Sequence, residues 1–228
     1  ATVVVNPLPT ATISGDTTIC FGTSSAVAFG GTPNATVTYT NNSGANQTVL
    51  LDNLGAASVP TGNLTATTTY QLVSVIASGT PACTQLQSGT VTVTVVPTPL
   101  VNSIVSSPVI CSGQATGISL SSNVANATFN WTATQSGAIG ASAGSGAIIS
   151  QNLIATGVVP GSVVYTITAN VGSCQGPATT ITITVNPIPI VTASTILQSV
   201  CSGSVTPIVL TSNVAGTLFN WNVVQTGV

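Results

Sequence analysis

Apolar and polar residues alternate along most of this chain with a period of two. Thr92-Val93-Thr94-Val95-Val96, Val163 to Val171 and Thr179 to Asn186 are clear runs of this kind. A period of two places every second side chain on one face of an extended segment, so each run predicts a half-buried strand. Between residues 110 and 187 the pattern predicts strands at Gly117 to Leu120, Thr128 to Thr134, Val163 to Val171 and Thr179 to Asn186. Turn formers separate them: Ser121-Ser122-Asn123, Gly137, Gly140, Gly144-Ser145-Gly146, Pro160-Gly161 and Gly172-Ser173. The runs are rich in Val, Ile and Thr, whose branched Cβ suits a pleated surface. Strong helix formers are scarce or absent, which argues against long amphipathic helices. The fold class is all-β.

The strand pattern repeats. Val3-Val4-Val5-Asn6 leads to Pro7-Leu8-Pro9, Thr92 to Val96 leads to Pro97-Thr98-Pro99, and Thr182 to Asn186 leads to Pro187-Ile188-Pro189. Both intervals between the first prolines are 90 residues. This predicts tandem domains: residues 1–6 as the last strand of a preceding repeat, 7–97 as repeat one, 98–187 as repeat two, and 188–228 as the first part of a truncated repeat three. A start at Ala-Thr-Val-Val-Val, with no initiating methionine, reads as a window cut from a longer polypeptide. Pro7, Pro9, Pro97, Pro99, Pro187 and Pro189 form the linkers. Proline fixes φ and favours extended, semi-rigid segments.

Cysteines follow nearly the same period. Cys20, Cys111 and Cys201 each lie about a dozen residues past a spacer, and Cys83 and Cys174 each lie 63 residues after Cys20 and Cys111. Equal separation in two repeats predicts disulfides Cys20–Cys83 and Cys111–Cys174, with Cys201 paired beyond residue 228. Cys174 falls in the hairpin between the last two strands of its repeat, so the bridge is expected to pin one end of the domain. Disulfides imply an oxidising setting: secreted, periplasmic or cell-surface.

Aromatic residues recur inside strand patterns. Repeats two and three share Cys-Ser-Gly, Ser-Asn-Val-Ala and Phe-Asn-Trp, with Trp131 and Trp221 in register and Tyr39 near their position in repeat one. These three are expected to anchor the cores.

Composition narrows function. The 228 residues contain no Lys, Arg, His, Glu or Met, and Asp16 and Asp52 are the sole carboxylate side chains. General acid–base catalysis lacks its usual groups, metal binding lacks a donor cluster, and nucleic-acid binding lacks cations. No enzyme activity, cofactor or metal is expected. Thr, Ser, Asn and Gly interrupt each apolar stretch, so no helix can insert in a membrane.

About seven short strands in about 90 residues, separated by Gly, Pro and Asn, suit an immunoglobulin-like sandwich. The Cys-Ser-Gly start at Cys111, the Phe129-Asn130-Trp131 strand, the Gly172-Ser173-Cys174-Gln175-Gly176 hairpin and the Val185-Asn186-Pro187-Ile188-Pro189 exit resemble PKD-like, immunoglobulin-like repeats. Such repeats occur in very large secreted surface proteins of Bacteroidota, including gliding-motility adhesins exported by the type IX system. Tandem copies, short stiff Pro-x-Pro linkers, one expected disulfide per module and the lack of chemical side chains suit sandwiches set end to end as a rod, an extender that holds an adhesive tip away from the cell. The expected partners are neighbouring repeats, laterally associated copies, or a surface or polysaccharide ligand bound by other parts of the polypeptide. The competing reading is a carbohydrate-binding sandwich of a secreted multidomain enzyme.

Lesser motifs add little. Asp16-Thr17-Thr18 resembles an O-glycosylation acceptor of that phylum, with Thr17 as the site, and competes with a plain turn. Asn-x-Ser/Thr sequons, such as Asn126-Ala127-Thr128, are expected by chance in so Asn- and Thr-rich a chain. Gly140 to Gly146 lacks the lysine of a phosphate loop and reads as a flexible or wide turn.

Overall fold

The computed structural model describes residues 5–194, 199–205, 208–224 and 226. The strand expected at residues 1–6 falls largely outside them. The chain divides into two compact units, residues 1–98 with 171–174, and residues 99–170 with 175–228.

The first unit contains β1 (Ala11–Ser14), β2 (Thr17–Cys20), β3 (Ala26–Gly31), β4 (Thr36–Asn41), β5 (Gln47–Leu50), β6 (Ala56–Pro60), β7 (Thr68–Ile76), β8 (Thr84–Leu86) and β9 (Thr90–Val96). One sheet runs β1-β3-β6; the other runs β2-β9-β7-β4-β5, with β8 also on β7. Neighbours are antiparallel except β2 and β9, which are parallel. Alternation fills the space between the sheets: Val91, Val93 and Val95 of β9 are buried while its threonines point outward or are half-covered. Val91 and Val93 meet Val27, Phe29, Val37, Tyr39, Tyr70 and Leu72 in one core. Full burial of a Val or Phe side chain contributes roughly 1.5–3 kcal/mol.

The second unit contains β10 (Val101–Val105), β11 (Val109–Cys111), β12 (Ile118–Ser122), β13 (Thr128–Ser136), β14 (Ala138–Ile139), β15 (Gly144–Ser145), β16 (Ile148–Ile149), β17 (Ile154–Ala155), β18 (Gly161–Val171), β19 (Cys174–Gln175) and β20 (Thr179–Asn186). Its sheets run β10-β12-β16 and β11-β20-β18-β13-β15, with β19 on β18 and a small β14–β17 ribbon. Here too the β11–β20 pair is parallel. Val163, Tyr165, Ile167 and Ala169 alternate into the core along β18, against Ile181, Ile183 and Val185 of β20. A further hairpin joins β21 (Val191–Ala193) to β22 (Leu210–Ser212).

All four strands expected in repeat two form: β20 keeps the expected bounds, β13 and β18 are each two residues longer at one end, and β12 starts one residue later and ends two later. The stretch Gly140 to Gly146, expected as a flexible or wide turn, also carries the two-residue strand β15. Within it β15 pairs with Asn130 and Trp131 of β13. Gly140 is held at φ +102°, where a Cβ would strike the Asn152 carbonyl.

Trp131 is buried, and its Nε1–H donates to the Ser142 carbonyl at 3.2 Å. Tyr39 is buried against Phe29, ring centroids 4.9 Å apart. Trp221 departs from the expected core role: it is 76% exposed.

Candidate functional site: the poles of each sandwich

The long strands β7 and β18 run from one pole of each sandwich to the other, and the linkers and cysteines gather at those poles. In the first unit Cys20 opposes Val96 at the end of β9, beyond Val93, which opposes Thr68 at the start of β7. Cys83 sits past the other end of β7, where its carbonyl accepts from Ala77 N–H at 3.0 Å. The nine residues of β7 lie between the two cysteines, about 30 Å at 3.3 Å per residue. In the second sandwich Cys111 opposes Asn186, beside the Val185–Gly161 pair that starts β18. Cys174 follows the far end of β18, eleven residues away.

This overturns the expected bridges. A disulfide needs Cα atoms within about 7 Å, so neither Cys20–Cys83 nor Cys111–Cys174 can close. The bond formed is Cys20–Cys174, Cα atoms 5.4 Å apart, inside the first unit, to which the hairpin tip Val171–Cys174 belongs. Cys83 is a half-buried thiol, and Cys111 and Cys201 are exposed thiols.

The hairpin pole also receives the linker. Proline has no N–H, so the first amide after each Pro-x-Pro is the next residue's, and a side chain captures it every time. Thr10 N–H donates to Thr32 Oγ1 at 3.0 Å, Leu100 N–H to Asn123 Oδ1 at 2.7 Å, and Ile190 N–H to Asn213 Oδ1 at 2.7 Å. Asn123 and Asn213 each lie 23 residues past the amide they hold. In the second unit the Pro99 carbonyl also lies against Gly176, where any Cβ would collide with it. The capping side chains were not singled out from sequence; the shared Ser-Asn-Val-Ala was their signal.

The two aspartates serve the backbone. Asp16 Oδ1 accepts from Thr92 N–H at 2.6 Å, fastening the β1–β2 turn to β9. Asp52 Oδ1 accepts from Ala56 and Leu54 N–H at 2.8 and 2.9 Å, and those bonds, Ala56 first, hold its carboxyl below the usual range. Thr17 is half-buried in β2 and Thr18 is exposed. Among the described residues no three His, Cys, Asp or Glu side chains cluster in a way that could hold a metal.

Residues 108–189 match the family model of the PKD-like domain. The comparison with curated proteins gives no match. Among solved structures, the chain is similar to Dpr2 Ig1-Ig2 in complex with DIP-Theta Ig1-Ig3, at 11% identity and TM-score 0.36, covering 82% of this chain and 70% of that one. It is similar to murine CEACAM1b at 12% identity and TM-score 0.36, covering 77% and 100%. It also resembles Salmonella alpha-2-macroglobulin at 10% identity and TM-score 0.34, covering 80% of this chain and 17% of that one. The fold is all-β, two-sheet sandwiches, and it is the second sandwich that matches the PKD-like domain. Domains of this kind are typical of extracellular adhesive or structural modules, and the disulfide is consistent with an extracellular location. No helix among the described residues is long and apolar enough to cross a membrane.

Proposed function

We infer that this chain is an extender segment of a long secreted surface protein, a series of sandwiches that carries an adhesive part away from the cell. One observation carries the reading. In each sandwich the linker docks at the hairpin pole, while the last strand ends at the opposite pole beside Cys20 or Cys111. A module that receives the chain at one pole and releases it at the other adds length with each copy. The Bacteroidota origin, the type IX route and a role in gliding motility rest on the sequence resemblance alone. A carbohydrate-binding role finds less support, because sugar platforms need exposed aromatic faces. Of the nine aromatics, Phe29, Tyr39, Tyr70, Phe129, Trp131 and Tyr165 are buried.

Small-angle X-ray scattering of the chain tests the reading. In-line modules give a rod cross-section and a repeat of roughly 35–45 Å, from strands of about 3.3 Å per residue plus end loops. A compact scattering profile, or centres closer than roughly 30 Å, would sink it. Binding to a polysaccharide array would favour the competing role.

A further inference from the structure

We propose that the disulfides of this array link consecutive repeats: the cysteine ending β2 of one repeat bonds the hairpin cysteine of the next. Cys20–Cys174 is the pair complete in this chain. Cys111 and Cys201 are then the donor-side halves of later pairs, and Cys83 is the hairpin half of an earlier one.

Three observations converge. Cys20 and Cys111 hold the same place, each ending a short strand parallel to the last strand of its sandwich, opposite Val96 and Asn186. Cys83 and Cys174 hold the other place, in the hairpin that follows β7 or β18. Within one sandwich these two places are separated by the length of β7 or β18, so a bond inside a repeat is sterically closed. The bond that does form joins a cysteine of the first kind to one of the second kind from the next repeat. The remaining thiols, Cys83, Cys111 and Cys201, are the ones whose counterparts by this rule are not among the 228 residues.

The chemistry is thiol–disulfide exchange with a disulfide donor of the oxidising compartment, an oxidoreductase or a small-molecule disulfide. The thiolate of one protein cysteine attacks the donor disulfide and forms a mixed disulfide, releasing one donor sulfur as thiolate. The second protein thiolate then displaces the other donor sulfur. The protein loses two protons and two electrons, and the donor leaves as two thiols. The pairing rule stands whether or not the array serves as an extender.

Disulfide mapping decides it. The folded, unreduced chain is alkylated and cut with chymotrypsin, since trypsin has no Lys or Arg to recognise. The expected result is one linked pair, Cys20 with Cys174, and three alkylated cysteines. Cys83→Ser and Cys111→Ser should leave that linked peptide and the melting curve unchanged. In a longer natural chain with whole neighbouring repeats, Cys111 should appear linked to the hairpin cysteine of the following repeat. Recovery of Cys20–Cys83 or Cys111–Cys174 would overturn the proposal. So would an alkylatable Cys111 in that longer chain.

Discussion

The Trp131 indole lies so close over Gly144 that a Cβ on that glycine would come within 2.7 Å of the ring. The pair joins the core to the edge: β15 can lie against β13 there because residue 144 has no side chain. Gly144→Ala forces the ring or the strand to shift. Overpacking of this kind costs about 1–3 kcal/mol, to be read as a lower urea midpoint for the second sandwich. Gly157→Ala is the control, because a Cβ there meets nothing within 4 Å; it should change stability by less than about 0.5 kcal/mol.

Asn123 gives a second prediction. Its Oδ1 receives the first amide after the Pro97-Thr98-Pro99 linker, and alanine would leave that amide to water. Asn123→Ala should destabilise the second sandwich by about 1 kcal/mol, the usual net worth of such a bond. Faster hydrogen exchange at Leu100 should accompany the loss. An unchanged exchange rate would mean the side chain does not hold the linker.

Much of this fold was legible because alternation is a local signal. Thr179 to Asn186 reads as a strand from its own residues, and the structure returns those bounds. The cysteine pairing was not legible, and the reason is periodicity itself. Two cysteines per repeat fit pairing within a repeat and pairing with the next equally well. Only the position of Cys20 and Cys83 at opposite ends of β7 separates the two schemes, and that is a property of the assembled sheet. Gly140 to Gly146 holds more than its composition tells, for a related reason. Glycine signals a turn from composition, whereas here it records the close approach of Trp131 and the Asn152 carbonyl. Trp221 shows the limit of reading by homology between repeats: its Phe-Asn-Trp sequence matches that of Trp131, yet Trp221 is exposed and outside any strand.

The pH profile should be a broad plateau with two different edges. Asp52 is held below the usual carboxylate range, so its stabilising contribution is complete above that range and is lost as pH falls through the depressed value. Burial raises Tyr165, Tyr70 and Tyr39. Their contribution is complete below the ordinary tyrosine value near 10 and is lost as pH rises from there through the raised values. With no His, Lys, Arg or Glu, few side chains titrate between those edges. Urea midpoints measured from pH 2 to 12 check this, and Asp52→Asn should flatten the acid edge while leaving the alkaline one in place.

Tryptophan emission separates the two indoles. Trp131 is 7% exposed and Trp221 is 76% exposed. Trp221→Phe should remove the red-shifted, acrylamide-quenched component and leave a blue-shifted one, whereas Trp131→Phe should do the reverse. Equal quenching of both residues would contradict the burial of Trp131.

Removing the Cys20–Cys174 bond should have the largest effect on stability. The bond spans 154 residues of sequence, and in the chain-entropy model a loop of that size restrains the unfolded chain by up to about 5 kcal/mol. The full amount applies only when both sandwiches unfold together, because a folded sandwich between the cysteines already restricts the loop. Cys174→Ser should therefore lower the unfolding temperature. It should do so more than Cys83→Ser or Cys111→Ser, which remove thiols without a bond. Calorimetry with and without reductant gives the same comparison in one protein: the transition should move down on reduction, to the position of the Cys174→Ser variant. A wild-type transition that reductant leaves in place would mean that this disulfide carries none of the stability.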